Sequence, residues 1–267
     1  MKLLTLNTHS LIEEAYESKL HIFIDTVLSE KPDIIALQEV NQSISANPAK
    51  LWERFRSIGT IKPTHDNHAL KAYELLRDGG LDYHTVWSGI KCGYERFDEG
   101  LAIMSLYPIN HAKTVTLSQR DDYSFWKTRK CLLADCGNIV ICNTHMGWWD
   151  DTEEPFSAQW KKLSESLTSY KKPIFLMGDF NSPADTGNEG YHLITSSGWY
   201  DTYALAKEKD DGFTVSGKPD GWSKELKARI DYIFTNRNTP VQSSYTMFSE
   251  ERISDHLGVM ISLNNQC

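Results

Sequence analysis

The chain has 267 residues, 40% of them hydrophobic and 24% charged, a composition typical of a folded globular protein and not of a disordered or fibrous one. Its 28 Lys and Arg against 36 Asp and Glu give a formal charge of −8. This acidity argues against a protein that binds long nucleic acid through a basic face.

Strands and helices alternate in the first third of the chain. The apolar run 2–8 predicts a strand, and apolar residues at helical spacing predict a helix over 11–30. A second buried strand is predicted at 33–37, and a second helix at 69–77. This order is typical of a protein that mixes both kinds of element.

The remainder of the chain is rich in short strands. A helix is predicted over 156–170, and Gly137-Asn138 predicts a hairpin turn. Segment 210–227 has three glycines, one proline and several charges, which predicts a loop. The predicted strands are 83–89, 100–105, 109–117, 130–136, 138–144, 173–177, 229–235, 242–248 and 258–263. Many strands with few helices favour two packed sheets with helices outside, in one domain spanning 1–267.

Neither export nor a membrane anchor is expected. The N-terminus lacks the apolar stretch and cleavage site of a signal peptide, and no apolar run approaches the roughly 20 residues of a membrane-spanning helix. The cysteines are odd in number and irregularly spaced, so we expect reduced thiols in a cytoplasmic protein. They are Cys92, Cys131, Cys136, Cys142 and Cys267.

Polar clusters directly follow several of the predicted strands, and one acid, Asp231, lies within a strand. Strand ends position ligand-binding groups at the edge of a sheet, so we expect these clusters to meet. Each one alone would be an ordinary turn or cap, but their joint occurrence along the whole chain favours a site. The clustered residues are Asn7, Glu39, His145, Asp179, Asn181, Asp255 and His256.

Several carboxylates in one site require a cation to offset their repulsion. Oxygen ligands suit a hard divalent ion such as Mg²⁺ or Mn²⁺, and the absence of Cys ligands disfavours structural zinc. Acids paired with Asn and His indicate phosphate chemistry, because the metal and imidazole neutralise phosphoryl oxygens while a carboxylate takes a proton from water.

Together these motifs resemble the endonuclease/exonuclease/phosphatase superfamily over essentially the whole chain. The matching stretches are Leu-Asn-Thr-His at 6–9, Leu-Gln-Glu-Val at 37–40, Asn-Thr-His at 143–145, Gly-Asp-Phe-Asn at 178–181, Arg-Ile-Asp-Tyr-Ile-Phe at 229–234 and Ser-Asp-His at 254–256. The resemblance implies a four-layer, DNase I-like α/β sandwich. In it, two mainly antiparallel or mixed β-sheets pack face to face with helices outside. It also implies Mg²⁺-dependent phosphoester hydrolysis, with Mn²⁺ as a substitute ion.

The resemblance also implies a role for each matched residue. Glu39 would be the principal Mg²⁺ ligand, with Asn7 and Asp255 close to the metal. The remaining roles concern the reaction itself. Asp179 would orient and deprotonate the attacking water, Asn181 and His145 would hydrogen-bond the phosphate, and His256, oriented by Asp231, would stabilise the anionic transition state.

Two loops bear on the substrate. Segments 92–103 and 146–151 resemble a bacterial cytoplasmic subgroup that includes maltose 6′-phosphate phosphatase, which implies a phosphomonoesterase acting on a small phosphorylated sugar. Trp148 and Trp149 could stack on a sugar ring, or instead pack as an apolar corner that anchors the helix over 156–170. The candidate substrate-binding residues are Arg96, Glu99, Trp148, Trp149, Lys218 and Trp222, with a solvated charge as the alternative for Arg96 and Lys218.

Three other functions remain open at this stage. A nuclease or abasic-site endonuclease would need basic residues where this chain has the acidic pairs 121–122 and 150–151. A sphingomyelinase would need membrane contact and an export signal. A protein that only binds a phosphorylated metabolite would not need a water-activating Asp beside a metal-binding Glu. The number of metal ions is left open, and a monomer is assumed.

Overall fold

The computed structural model describes residues 1–264. Its helices are α1 (Tyr16–Glu30), α2 (His68–Asp78), α3 (Phe156–Leu167), α4 (Gly190–Ser196) and α5 (Thr202–Leu205), with a 3₁₀ turn at Ser10–Ile12. The first nine strands are β1 (Lys2–Asn7), β2 (Ile34–Gln38), β3 (Gln42–Ser43), β4 (Phe55–Ser57), β5 (His84–Gly93), β6 (Phe97–Ser105), β7 (His111–Thr116), β8 (Lys130–Cys136) and β9 (Ile139–His145). The others are β10 (Ile174–Asp179), β11 (Tyr200–Asp201), β12 (Glu208–Lys209), β13 (Val215–Gly217), β14 (Leu226–Ala228), β15 (Asp231–Thr235), β16 (Val241–Met247) and β17 (Gly258–Leu263).

These strands form two large sheets and a small hairpin. The first sheet has the order β12-β16-β17-β1-β2-β6-β5-β4, with β3 paired to β6, and the second has the order β11-β15-β10-β9-β8-β7. Within the first sheet β1 and β2 are parallel, and within the second β9 and β10 are parallel. Strands β13 and β14 form a separate two-stranded sheet, and Val215 of β13 also makes an isolated bridge to His256.

The core has three apolar layers, which makes the molecule a four-layer sandwich. In β2, Ile34 and Ala36 face the second sheet, while Ile35 and Leu37 face the layer that contains α1 and α2. The alternation follows the two-residue period of a strand, and both faces are apolar because both are covered. Helices α3 and α4 cover the outer face of the second sheet. The predicted four-layer α/β fold is therefore confirmed.

A polar contact joins the two sheets inside this apolar core. The side chain of Asn143 on β9 accepts a hydrogen bond from Gln38 Nε2 at 2.7 Å. Its own Nδ2 donates to the carbonyls of Leu37 and Ala102, each at 2.8 Å. Because hydrogen bonds are directional, these fix how one sheet lies on the other.

The first helix begins later than predicted, at Tyr16 and not at residue 11. The intervening residues are held by contacts outside the helix. Ser10 Oγ donates to the carbonyl of Glu39 at 2.7 Å, and the Glu13 carboxylate lies 2.6 Å from His9 Nδ1. These tertiary contacts outweigh the helical spacing of the apolar residues.

The predicted loop at 210–227 was also wrong in part, since it contains the hairpin of β13 and β14. Val215, Ala228 and Ile230 form its small buried cluster, with Trp222 packed against it. The strands are three residues each, too short to show a period of two in the sequence. The hairpin places segment 218–225 beside the strand ends that carry the polar motifs.

Two further sequence expectations concern membranes and cysteines. No helix within residues 1–264 has the length and apolar character needed to cross a bilayer. Cys92, Cys131, Cys136 and Cys142 carry free thiols, as predicted, and Cys267 lies outside the residues that the structure describes.

His68 on α2 should make the fold sensitive to acid. Its ring is buried, its Nδ1 lies 3.0 Å from the Tyr16 hydroxyl, and burial lowers its pKa to about 3. The unfolded chain protonates this ring below about pH 6.5, while the folded chain keeps it neutral. The contribution of His68 to the free energy of unfolding is therefore fully present above about pH 6.5 and is lost as the pH falls. We expect about 2 kcal/mol less free energy of unfolding at pH 5 than at pH 7 from this residue.

Urea denaturation at both pH values measures the effect. The His68→Gln variant should lose correspondingly less stability on acidification than the wild type, whatever its stability at pH 7. The exposed His65 provides the control, because His65→Gln should keep the wild-type acid dependence. Parallel losses in wild type and His68→Gln would contradict this assignment.

Candidate active site

The predicted polar residues gather where strands of both sheets end. Asn7 closes β1 and Glu39 directly follows β2, and the two strands are parallel neighbours. In the second sheet, Asp179 on β10 is paired with His145 on β9 and with Asp231 on β15. Because the sheets pack face to face, the two groups meet at one end of the sandwich.

Asn7 connects the two groups directly. Its Nδ2 donates to Glu39 Oε1 at 2.8 Å and to Asp179 Oδ2 at 3.1 Å. Its Oδ1 accepts from the backbone N–H of His9 at 3.2 Å. In this arrangement Asn7 supports two carboxylates with its nitrogen, and its oxygen is engaged by the backbone.

Glu39 has an unusual backbone conformation, with φ of 49°. Left-handed φ values are uncommon for residues other than glycine and require support from their surroundings. Here the Glu39 carbonyl accepts hydrogen bonds from Ser10 Oγ at 2.7 Å and Thr8 Oγ1 at 3.1 Å. The strand end is thereby pinned with its carboxylate in the cavity that the site encloses.

Asp179 occupies the centre of the site. Its Oδ1 accepts from the backbone N–H of Asn181 at 2.8 Å, and its Oδ2 faces Asn7. Burial raises the pKa of Asp179 to about 7, with the nearby Asp231 acting in the same direction and His256 opposing it. A carboxylate with such a pKa can accept a proton from water near neutral pH.

Asp231 and His256 form a buried pair. Asp231 Oδ2 lies 2.9 Å from His256 Nδ1, and His256 Nε2 lies 3.8 Å from Asp179 Oδ2. Burial alone would lower the pKa of His256, but the carboxylates of Asp231 and Asp179 raise it well above its usual value. The ring is therefore a cation whose Nε2 faces the centre of the site.

His145 behaves in the opposite way. Burial, helped by the nearby charges of Arg129 and Lys91, holds the pKa of His145 well below its usual value, so the ring is neutral. Its Nε2 lies 3.2 Å from Asn181 Nδ2 and accepts a hydrogen bond from that amide group. The 3.5 Å approach of His145 to Asp179 is thus not an ion pair.

These side chains surround a cavity of about 220 Å³, which we call the active-site cavity. Glu39, Asp179, Asp255 and His256 line it, together with the buried cations Lys91 and Arg129. Two loops meet at its mouth, where the Tyr94 hydroxyl donates to the Asp220 carboxylate. The backbone N–H of Asp220 in turn donates to Asp255 Oδ2 at 3.0 Å, so the hairpin loop is tied to the site.

The donor set fits a hard divalent cation beside Glu39. Burial and the neighbouring Glu99 carboxylate raise the pKa of Glu39 to about 7, with Asp255 adding to the effect. Such crowding of carboxylates is relieved by a bound cation, and oxygen donors are those preferred by Mg²⁺. Within residues 1–264, two groups have ligand atoms within 4.8 Å of one another: Asp179, Asp231 and His256, which are buried, and His9, Glu13 and Asp255, which are half-buried.

The candidate substrate-binding residues divide into two groups. Glu99 and Trp148 line the active-site cavity, and Trp222 Nε1 donates to Asn181 Oδ1 at 3.2 Å. Trp149 packs 6.0 Å from the ring of Phe156 and joins the apolar layer beneath α3, which favours the packing alternative for this residue.

Arg96 and Lys218, in contrast, are exposed and do not line the cavity. Arg96 occupies the turn between β5 and β6. Its guanidinium lies over the ring of its neighbour Phe97, 4.7 Å from the centroid. These placements agree with the solvated-charge alternative.

Sequence reasoning missed other residues of the cavity wall. They are Lys91, Tyr94, Trp126, Arg129 and Asp220. The polar ends of β5 and β6 hid the extent of those strands, because the side chains there face the cavity and break the apolar pattern. A single Lys within a strand, such as Lys91, or a single Arg just before one, such as Arg129, carries no motif that would have identified it.

Comparisons with known proteins agree with this geometry. The model of the endonuclease/exonuclease/phosphatase family matches residues 4–256. No curated protein matches the chain. Among solved structures, a family protein from Leptotrichia buccalis shares 29% identity, with a TM-score of 0.87 over 98% of this chain and 99% of that one.

Two more distant structures share the fold. A mannosyl-6-phosphatase from Bacteroides thetaiotaomicron has a TM-score of 0.65 at 17% identity, over 98% of this chain and 99% of that one. The 3′ phosphatase NExo from Neisseria, bound to a product DNA hairpin, has a TM-score of 0.65 at 19% identity over 99% of each chain. Because the family model spans nearly the whole chain, this protein belongs to the endonuclease/exonuclease/phosphatase family, whose members are hydrolases acting on phosphoesters.

Proposed function

We propose that the protein is a Mg²⁺-dependent phosphomonoesterase that acts on a small phosphorylated sugar. The observation that carries this proposal is the limited size of the active-site cavity. Its volume is about 220 Å³, and the contact between Tyr94 and Asp220 crosses its mouth. A cavity of this size suits a phosphate with a small organic group better than a duplex, which needs an open basic groove.

Each side chain of the site has a separate role in the proposed reaction. Asp179 takes a proton from the attacking water, and the Asn181 N–H keeps the carboxylate oriented through its 2.8 Å hydrogen bond. The His256 cation stabilises the charge that develops on the phosphoryl oxygens, with Asp231 holding the ring from behind at 2.9 Å. Glu39 and Asp255 would hold Mg²⁺, which supplies Lewis-acid polarisation of the phosphoryl group when bound.

The leaving group is proposed to be a sugar for two reasons. The walls of the cavity combine the indole of Trp148 with the carboxylates of Glu99 and Asp220, groups suited to the faces and hydroxyls of a sugar. The mannosyl-6-phosphatase with the same fold supports the same class of substrate. Maltose 6′-phosphate is the specific candidate that the loop sequences suggest.

A phosphate-release screen tests the proposal. The panel contains mannose 6-phosphate, glucose 6-phosphate, maltose 6′-phosphate, nucleotides, inositol phosphates, 3′-phosphorylated DNA and abasic DNA, each with Mg²⁺ and with EDTA. We expect Mg²⁺-dependent release that is fastest with a sugar phosphate. Faster turnover of either DNA substrate than of every small phosphate would overturn the proposed substrate, and turnover unaffected by EDTA would overturn the proposed metal.

A further inference from the structure

Arg129 is a buried cation without an anionic partner. It directly precedes β8, its side chain lines the active-site cavity, and the residue is only 3% exposed. Its Nε is buried and makes no hydrogen bond, and within residues 1–264 no carboxylate lies within ion-pair distance of the guanidinium. The guanidinium carbon lies 5.7 Å from the centroid of the Trp148 ring. An unpaired buried charge is costly, so this position calls for an anion that enters the cavity.

Lys91 lies on the same wall. It is 6% exposed, and its Nζ donates to the Trp126 carbonyl at 2.7 Å and lies 3.3 Å from Glu99 Oε1. Both cations line the active-site cavity, and burial together with the charge of Arg129 lowers the pKa of Lys91 to about 8. Within the described residues, Glu99 lies within ion-pair distance of Lys91, and no carboxylate lies within that distance of Arg129. The wall therefore carries one cation without a direct ion-pair partner.

The cavity also holds other anion-binding groups. The His256 cation faces Asp179, and the proposed metal position lies beside Glu39. A phosphodiester has one charge and two free oxygens, which these groups can satisfy without Arg129. A phosphomonoester carries close to two charges near neutral pH and presents three free oxygens, so it has charge and acceptors left over.

We infer that Arg129, with Lys91 beside it, binds the additional charge and oxygen of a phosphomonoester dianion and thereby selects monoesters over diesters. This inference rests on the proposed phosphoester hydrolysis. A guanidinium presents two parallel N–H groups, which match two oxygens of one phosphate. Arg129 is therefore a specificity residue that contacts substrate, and Lys91 reinforces its charge.

The test compares Arg129→Gln with Arg54→Gln, an exposed arginine outside the cavity. For each variant kcat/KM is measured with p-nitrophenyl phosphate and with bis(p-nitrophenyl) phosphate. We expect Arg129→Gln to lower kcat/KM for the monoester by about 100-fold, as for loss of a charge-assisted hydrogen bond, and for the diester by less than about 5-fold. Arg129→Lys should recover part of the monoester rate, and Arg54→Gln should match the wild type.

A binding experiment separates this inference from the proposed function. In the Asp179→Asn background with Mg²⁺, calorimetry measures the dissociation constants of inorganic phosphate and dimethyl phosphate. Arg129→Gln should weaken the binding of inorganic phosphate by about 100-fold and leave the binding of dimethyl phosphate nearly unchanged. Equal losses for both ligands, or equal losses for both ester substrates, would overturn the inference even if the sugar-phosphate screen succeeds. Selective loss of inorganic phosphate would uphold it even if that screen fails.

Discussion

Changing Asp179 to Asn is expected to lower kcat by about 10²- to 10⁴-fold, because the site loses the group that accepts the proton of the attacking water. The amide keeps the size of the carboxylate and can still accept the backbone N–H of Asn181 through its oxygen. The amide nitrogen then replaces Oδ2, so Asn7 Nδ2 loses this acceptor but keeps Glu39 Oε1, and the group that accepts the proton is removed. The measurement is Mg²⁺-dependent phosphate release at saturating substrate.

Asp185 offers a matched control, since it is an exposed aspartate six residues further along the chain and outside the active-site cavity. Asp185→Asn should retain wild-type turnover. Thermal unfolding of both variants checks that neither has lost its fold. If Asp179→Asn kept more than about a tenth of the wild-type kcat, Asp179 would not be the proton acceptor.

Changing Gly178 to Ala is expected to lower the free energy of unfolding by more than about 4 kcal/mol, among the largest effects of a single substitution. Gly178 has φ of 141°, and a Cβ there would lie 1.9 Å from the carbonyl oxygen of Thr144. The clash is with backbone, so β9 and β10 would have to separate. The same displacement would move Asp179 away from His145, and activity should fall with stability.

Guanidinium denaturation measures the loss of stability. Gly137 serves as the comparison, because it also has positive φ, at 71°, but nothing lies within 4 Å of the position that a Cβ would take there. Gly137→Ala should cost only about 1 kcal/mol, the strain of the left-handed conformation. Similar losses for the two variants would mean that conformation, and not the close approach of β10 to β9, makes glycine necessary at 178.

Two packed sheets with helices outside could be predicted because they depend on local patterns, whereas the four-layer order was predicted only from the resemblance to the family. The buried run of β2 and the spacing of α2 are determined by side chains near in sequence. The start of α1 could not be predicted in this way, since it depends on Ser10 meeting Glu39, 29 residues away. The β13–β14 hairpin was missed because its strands are too short to display a period.

The candidate site shows a similar division. The motifs identified the side chains that meet at the end of the sandwich, including Asp231 and His256, because each lies within three residues of the end of a recognisable strand. Arg129 was missed, since its significance lies in being buried without a partner, which is a property of the packed molecule. The contact between Tyr94 and Asp220 joins loops 126 residues apart, and no local pattern records it.

The position of Asn143 limits which substitutions this protein can accept in its core. Glu39 belongs to one sheet and Asp179 to the other, so the distance between them depends on how the sheets are aligned. Apolar contacts have no preferred direction, so they fix this alignment less strictly than hydrogen bonds do. The hydrogen bonds of Asn143 to Gln38, Leu37 and Ala102 add a directional restraint. Asn143 therefore matters for turnover although it lies in the middle of the core. An apolar residue at this position could preserve the fold and still misalign the reacting groups.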